Sequence, residues 1–531
     1  MQAWPKNAVI YQIYPRSFKD SNNDGIGDLG GIIEKVDYIK GLGVDAVWLS
    51  PIYMSPQKDF GYDVSDHKNI DPIFGTTEQF KELVEKLHAN DIKMVMDFIP
   101  NHTSSKHEWF KESRTSRTNP KRDWYIWADP KPDGTPPNNW LSAFGGSAWE
   151  LDKMTNQYYY HAFDEDQPDL NWRNPEVKKE MFGIMKFWLD HGVDGLRVDA
   201  VDYLIEDKGL EDEPINIDYE DNFNQYTHLA LIHTCTRNQP ESITILKEMA
   251  AIFQEYKAKF MVTEAVTGLP QLIGMYKVVD WHSFQPFNFS LISLPWLAEP
   301  HKEFIDAYEE NLDDHYLPCY VTGNHDKPRV VTRIGEKQSR NAAILLFTLR
   351  GNTFIYNGEE IGMTNGEIPI ELETDTYDIH SPGLGLGRNG ERTPMHWDST
   401  KNAGFTKGNP WLPIAQNYKE INVETEQDNE KSMLSFYKEL IRLKKTHPAL
   451  SFGEYIPLPT PADNVFAFVR RHKNEKILVV VNFDDNEKVI NLDYHGKVIL
   501  NSFSERGQEL LSFSNFKLRG DEGIIISCQD S

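Results

Sequence analysis

Short apolar runs separated by amphipathic helical segments recur along most of this chain, and that alternation limits the fold more than any other feature. "AVIYQIYP" (8–15), "DAVWLSPIY" (45–53) and "KMVMDFIPNH" (93–102) are the first three runs. Between the first two lies "DLGGIIEKVDYIKGLG", with helical spacing and a closing glycine; "TEQFKELVEKLHAND" precedes the third. Runs of this kind joined by helices argue for parallel βα units. The pattern breaks for about seventy residues rich in Trp, Tyr, Asn and Pro. It resumes with the helical "NPEVKKEMFGIMKFWLDHG" and the runs "DGLRVDAV" (194–201), "KFMVTEAV" (259–266), "LPCYVTGNHD" (317–326) and "NTFIYNGEEIGM" (352–363). A sixth strand falls near "DWHSFQPFNF".

Eight such units make a (β/α)₈ TIM barrel. The expected α/β architecture is therefore a barrel in two parts, 1–102 and 173–451, with a loop-rich subdomain (103–172) inserted after the third strand. From residue 452 to 531 helices give way to short alternating runs, "NVFAFVRR", "KILVVVNF" and "KVILNSF", which predict a C-terminal antiparallel β-sandwich.

In a barrel, residues at the C-terminal ends of different strands converge on one mouth. The third run ends in Asn101 and His102, the fourth carries Arg197 and Asp199, the fifth Glu264, and the seventh ends in His325 and Asp326. One polar residue at a strand end is usually a cap or a structural ion pair. Four coincidences at the same topological position describe an active site. Three carboxylates and a guanidinium suit glycoside chemistry, where an oxocarbenium-like state needs an anion and the leaving oxygen needs a proton. Asp199, two residues beyond Arg197, is expected to stay ionised as the nucleophile. Glu264, raised by like charges nearby, is expected to be the acid.

The charge balance narrows the partners. Lys+Arg 55 against Asp+Glu 81 gives −26, which repels phosphate backbones and argues against nucleic acid. The 3 cysteines show neither disulfide nor zinc spacing, so a cytoplasmic setting is expected. No stretch reaches the roughly 18 apolar residues of a membrane helix. A monomer or weak homo-oligomer acting on a small oligosaccharide or disaccharide is the expectation.

"DSNNDGIGD" (20–28) looks like half of an EF-hand, but Gly31 stands where the closing Glu belongs. The spacing favours a hard cation over a solvated Asx turn, and both readings stay open here. Three other stretches suggest less. "SPGLGLGR" (381–388) lacks the ending of a phosphate loop and reads as a flexible loop near the mouth; "KHEWF" lacks the second His of a metalloprotease. The acidic "EDKGLEDEP" (206–214) reads as solvated surface.

"DFIPNH" (97–102), "GLRVDAV" (195–201), "MVTEAV" (261–266) and "VTGNHDKPR" (321–329) stand in the order and spacing of the α-amylase superfamily of retaining glycosidases. The chain most resembles its oligo-1,6-glucosidase and α-glucosidase branch, from about Asn7 to the end, more weakly in the last eighty residues. The resemblance implies Asp199 as nucleophile, Glu264 as acid/base, and Asp326 as the carboxylate that holds and distorts the sugar. It implies Asp59 and Tyr62 of "KDFGYD" along the −1 glucose, and His102 and His325 as ligands of its hydroxyls. Arg197 is then the nucleophile's partner, Phe163 an aromatic wall, and Arg392 the residue that closes an exo-acting pocket; His396 replaces the family's usual Gln. The same branch carries a structural calcium loop after its first strand. Asp20, Asn22, Asp24, the Ile26 carbonyl and Asp28 match its ligands, and magnesium is the alternative ion. The implied activity is an exo-acting, retaining α-glucosidase. Ala200, following the nucleophile, implies α-1,4 preference where Val accompanies α-1,6. The alternatives are an oligo-1,6-glucosidase, or a relative that transfers or isomerises glucose from sucrose or trehalose.

Overall fold

The computed structural model describes every residue except 1–3, 5, 221, 223, 224, 257, 258, 506, 508, 530 and 531. The outermost residues of the expected first and last domains thus lie outside the described residues. Eight strands form one sheet: β1 (Val9–Ile13), β2 (Ala46–Leu49), β3 (Lys93–Phe98), β4 (Gly195–Val198), β5 (Phe260–Thr263), β6 (Phe284–Pro286), β7 (Cys319–Tyr320) and β8 (Asn352–Tyr356). Their order is β6-β5-β4-β3-β2-β1-β8-β7, and every neighbouring pair is parallel. A parallel bridge from Asn288, just past β6, to Tyr320 of β7 joins the two ends into a ring. The molecule is an α/β TIM barrel.

The unbroken apolar runs follow from burial on both faces. Ile10, Trp48, Val95, Val262 and Phe354 pack together inside the ring. Their neighbours Val9, Tyr11, Val47, Leu49, Met94 and Met96 face the surrounding helices. Because side chains alternate with a period of two, the inward row can be followed to the strand ends. There it turns polar: Ile10 leads to Gln12, Val95 to Asp97, Gly195 to Arg197 and Val262 to Glu264.

Helix boundaries obey local chemistry. In Thr77–Ala89, the Thr76 side chain accepts from Gln79 N while the Gln79 side chain accepts from Thr76 N, a reciprocal capping box. Pro175–Asp190 starts with proline at its first position, and Asn174 Oδ1 accepts from Glu176 N at 2.9 Å. The first connecting segment divides into Leu29–Glu34 and Val36–Leu42, and Gly43 ends it in the left-handed region at φ 86°.

Between β3 and the helix Pro175–Asp190, Trp127–Ala128, Gln157–Tyr160 and Trp149–Asp152 pair as a small antiparallel sheet. Its aromatic core of Trp140, Trp149 and Tyr160 also includes Ala200 and Tyr203, so this insertion sits over the end of β4. At the C-terminus a six-stranded antiparallel sheet faces a two-stranded one, Lys488–Ile490 with Phe516–Leu518. Phe466, Phe468, Val479 and Val481 join the barrel's core, while Ala467, Val469, Leu478 and Val480 pack with Ile490 and Leu518 inside the sandwich.

Candidate active site

Three carboxylates meet one cation where the inward rows of β3, β4 and β5 end. Arg197 is 1% exposed; its Nη1 donates to Asp97 Oδ1 at 2.6 Å and Asp199 Oδ1 at 2.5 Å, and its Nη2 donates to Glu264. Asp97 is held from its other side by Trp48 Nε1 at 3.2 Å and Tyr62 Oη at 3.1 Å. Burial pushes the Asp199 carboxyl up; Arg197 opposes this and Asp97 adds to it, leaving Asp199 at about 6. Arg197 favours the charged form of Asp199, as its spacing suggested, while burial works against it. Glu264 lies well above its ordinary value, through burial first, against Arg197, and then through the charges of Asp199 and Asp326. The order needed for the two roles survives. Asp199 is the better anion of the two and Glu264 the better proton donor.

Asp326 follows the opposite course. Burial pushes it up, but His325, Arg392 and Arg388 together bring it far below the usual carboxylate range. Arg392 Nη2 donates to its Oδ1 at 2.6 Å and Arg388 Nη1 at 3.3 Å. His325, fully buried, is lowered to about 3 chiefly by desolvation, so it is neutral. Its Nδ1 accepts from Gln12 Nε2 at 2.8 Å, which leaves Nε2–H toward Tyr62 Oη at 2.7 Å and Asp326 Oδ2 at 3.2 Å. His102, also buried and lowered to about 4, contacts Gln167 Nε2 at 3.1 Å, and Gln167 donates to Asp59 Oδ2 at the same distance.

Asp59, Tyr62, His102, Phe163, Asp199, Ala200, Glu264 and Asp326 all line one cavity of about 350 Å³. Arg197 and His325 stand behind it. Arg392 is fully buried behind Asp326 and does not face the cavity. Arg388 faces it instead, donating to Asp59 Oδ1 at 2.7 Å and Asp375 Oδ2 at 2.8 Å. It ends "SPGLGLGR", so that segment supplies a wall of the site and is not merely a loop near the mouth. His396 is buried with Nδ1 on Ile421 O at 2.9 Å and also lies off the cavity.

The aromatic side is broader than Phe163 alone. Phe163 packs against His102 (5.4 Å), Tyr203 (5.0 Å) and Phe144 (5.7 Å), and Phe144 meets Tyr377 edge-on at 4.6 Å. Asp97 and Arg388 are among the charged residues that sequence reasoning passed over, with Asp202, Arg237 and Lys327 of the cavity wall. A carboxylate at an inward position of an otherwise apolar strand was the available signal for Asp97. Nothing local marks Arg388.

The loop 20–28 lies apart from the cavity. Asp20 Oδ1 accepts from Asn23 N at 2.6 Å and Oδ2 from Gly25 N at 2.8 Å; Asp24 Oδ1 accepts from Ile26 N at 2.8 Å. Asp28 caps the following helix, its Oδ1 accepting from Gly31 N at 2.6 Å and from Ser21 Oγ at 2.7 Å. These oxygens match a hard cation in kind. They are engaged as Asx turns and a helix cap, however, and among the described residues no group of three or more His, Cys, Asp or Glu is placed to hold a metal.

Residues 12–453 match the family described as the alpha amylase catalytic domain, and residues 457–512 the maltogenic amylase C-terminal domain. An oligo-1,6-glucosidase of Heyndrickxia coagulans is 39% identical over 96% of this chain and 98% of its own. The chain belongs to the alpha-amylase family. Within that family it is a glycoside hydrolase. A probable alpha-glucosidase of Rhizobium meliloti (strain 1021) is 40% identical over 91% of this chain and 90% of its own. The crystal structure of an alpha-glucosyl transfer enzyme superposes with a TM-score of 0.93 at 37% identity, covering 100% of both chains. The catalytic-domain match spans every residue of the cavity wall. No helix among the described residues is long and apolar enough to cross a membrane.

Proposed function

We propose that the protein is an exo-acting, retaining α-glucosidase that releases α-glucose from the non-reducing end of short α-1,4-linked gluco-oligosaccharides such as maltose. The observation that carries this reading is the pair Asp199 and Glu264 on one guanidinium at the end of adjacent strands, with Glu264 pushed above its ordinary range by burial and by the neighbouring charges, as a proton donor needs. Asp199 attacks the anomeric carbon while Glu264 gives its proton to the glycosidic oxygen. The carbon–oxygen bond breaks, the leaving sugar departs as an alcohol, and a glucosyl ester forms on Asp199. Glu264, now a carboxylate, takes a proton from water, whose oxygen attacks the same carbon and displaces Asp199. Both carboxyls return to their starting states. Asp326, held as an anion by two guanidiniums and a neutral imidazole, is the partner for sugar hydroxyls and for developing positive charge.

Exo action is supported by the Asp59–Arg388 pair across the cavity wall, which leaves a pocket for a chain end. The α-1,4 preference rests on Ala200, whose methyl group faces the cavity where a branched side chain would crowd a 4-linked aglycone. Two relatives favour other readings: one is named an oligo-1,6-glucosidase and one solved structure an alpha-glucosyl transfer enzyme. One product assay on maltose, isomaltose, sucrose and trehalose separates these readings. Proton NMR of the first-formed glucose should show the α anomer, and a β anomer would overturn the mechanism. We also propose that the loop 20–28 takes a structural calcium or magnesium ion, with no part in the chemistry.

A further inference from the structure

A strap of chain from the segment after β8, residues 404–411, runs across the loop 20–28. Asp20 N donates to Phe405 O at 3.1 Å, Thr406 Oγ1 to Asp20 Oδ2 at 2.5 Å, and Trp411 N to Gly25 O at 3.0 Å. Lys19 Nζ adds bonds to the carbonyls of Gly404 and Phe405 at 3.0 and 3.1 Å. The approach is backbone on backbone: a Cβ on Gly25 would stand 1.8 Å from Asn409 O, and one on Gly408 2.3 Å from Asn23 O. The strap ends in Trp411. Its Nε1 donates to Ser17 Oγ at 3.0 Å, and Ser17 Oγ donates in turn to Arg392 O.

The ring of Trp411 lies 4.9 Å from the Arg16 guanidinium carbon and 5.4 Å from the ring of Phe60. Arg16 is 8% exposed, and among the described residues no carboxylate forms an ion pair with it; Gln57 Oε1 accepts from it at 2.9 Å. A guanidinium so placed gains from the aromatic faces beside it. Phe60 is the less expected partner. It is a central residue of the turn 59–62, which Tyr62 N closes on Asp59 O at 3.0 Å. Both central residues have positive φ, 48° for Phe60 and 108° for Gly61. Such turns favour Asn or Gly at the first central position, since larger side chains strain the backbone there. A strained residue persists where its surroundings hold it. Around the Phe60 ring stand Arg16 at 5.6 Å, Arg392 at 5.5 Å and Trp411. The two ends of this turn are Asp59 and Tyr62, and both line the cavity.

We infer that Trp411 is a positioning residue for the sugar-binding end of the cavity: seated on the loop 20–28, it holds the Phe60 turn and, through it, Asp59 and Tyr62. The inference rests on the α-glucosidase reading, in which those two side chains meet the non-reducing glucose. Trp411 itself does not line the cavity, so it acts only through the turn. The loop 20–28 thereby serves the site at one remove, as the seat of the strap.

The test measures KM and kcat for maltose and an aryl α-glucoside, and glucose binding by titration calorimetry, in wild type and variants. Trp411→Ala should raise KM for both substrates, and Kd for glucose, by roughly three- to tenfold, the scale of one hydrogen bond. The two substrates should respond alike, because the turn meets the glucose they share. Trp411→Phe, which keeps a ring against Arg16 and Phe60, should recover most of the loss. Gly25→Ala, whose methyl group displaces the strap, should reproduce the Trp411→Ala effect from outside the cavity. The double variant should be no worse than either alone. Trp411→Leu, which fills the space without a ring face, carries the same expectation where the alanine variant does not fold. A lowered melting point with KM and glucose affinity unmoved, in whichever of the two folds, overturns the positioning role and leaves the α-glucosidase reading standing. A wild type that neither cleaves the substrates nor binds glucose overturns both.

Discussion

Replacing Arg388 with methionine removes one guanidinium that three carboxylates share. Asp59 accepts from it at 2.7 Å, Asp375 at 2.8 Å and Asp326 at 3.3 Å, and Arg388 itself is 6% exposed. The losses are unequal. Asp326 keeps Arg392 at 2.6 Å, and Asp375 keeps the same residue at 3.6 Å. Asp59, 4% exposed, is left with the Gln167 amide and no cation in contact. Breaking a buried pair by removing one partner costs about 3–5 kcal/mol. Unfolding entropy near 2.1 cal/mol/K per residue gives about 1.1 kcal/mol/K for 531 residues, so the melting point should fall by about 3–5 °C. Activity should suffer as well, because Asp59 takes up a proton and no longer accepts from sugar hydroxyls. One lost charge-assisted hydrogen bond, about 1.5–3 kcal/mol, corresponds to roughly 10- to 150-fold in kcat/KM. Arg388→Lys, which keeps the charge but cannot reach three partners at once, should fall between. Calorimetry and kinetics on maltose decide this. A methionine variant with unchanged melting point and unchanged kcat/KM would refute the proposed role of the three-way pair.

The pH profile of kcat/KM should be a bell: the acid limb falls through about 6, where Asp97 and Asp199 beside Arg197 gain a proton, and the alkaline limb reports Glu264. Glu264→Gln should abolish the alkaline limb and spare substrates with good leaving groups; a persisting limb would assign it elsewhere. Between about pH 7 and 8, above the range where histidines released by unfolding take up protons, the melting point should decline, because burial raises Glu359 to about 7 and Glu391 to about 8. Carboxyls raised in the folded state favour folding below their unfolded value, and that contribution is lost as pH rises through the folded one. Ala200→Val should shift kcat/KM toward isomaltose and cost about 1–2 kcal/mol, since Ala200 has φ 46°, a region that disfavours branched side chains. An unmoved linkage ratio would remove Ala200 as the selector. Calcium at a hundredfold excess over its dissociation constant should add about 2.7 kcal/mol of stability. A melting point indifferent to both calcium and chelator would mean that the loop 20–28 stands on its own hydrogen bonds.

The barrel was legible because its strands are short apolar runs and its connections contain amphipathic helices, both local signals. The catalytic carboxylates were legible for the same reason: Asp199 and Glu264 sit on strand ends whose register the sequence displays. What stayed hidden depends on distance along the chain. Arg388 meets Asp59 across 329 residues, and Lys327 meets Tyr226 across 101. No local pattern encodes such meetings, since both arginine and lysine are ordinary on a loop. Arg392 misled because its motif is conspicuous, yet its side chain turns inward to His325 O at 2.9 Å and supports Asp326 from behind. Burial was hidden as well. Spacing shows that Arg197 is near Asp199, but not that both are cut off from water, and desolvation decided the direction of the shift.

The unequal distribution of cations assigns the roles. Six carboxylates (Asp59, Asp97, Asp199, Glu264, Asp326 and Asp375) are paired among three guanidiniums, Arg197, Arg388 and Arg392. Fully ionised, the set would bury three negative charges in excess, which a site this dry opposes strongly. Asp326 contacts two guanidiniums and the His325 imidazole and is brought far below its ordinary range. Asp97, Asp199 and Glu264 share one, and a proton retained among them is best held by Glu264, raised well above its ordinary range beside the bond to be broken. When that proton leaves with the aglycone, the site gains a negative charge as the sugar gains a positive one. Chemistry and charge balance therefore move together, and a second cation near Glu264 would lower its pKa and remove the acid.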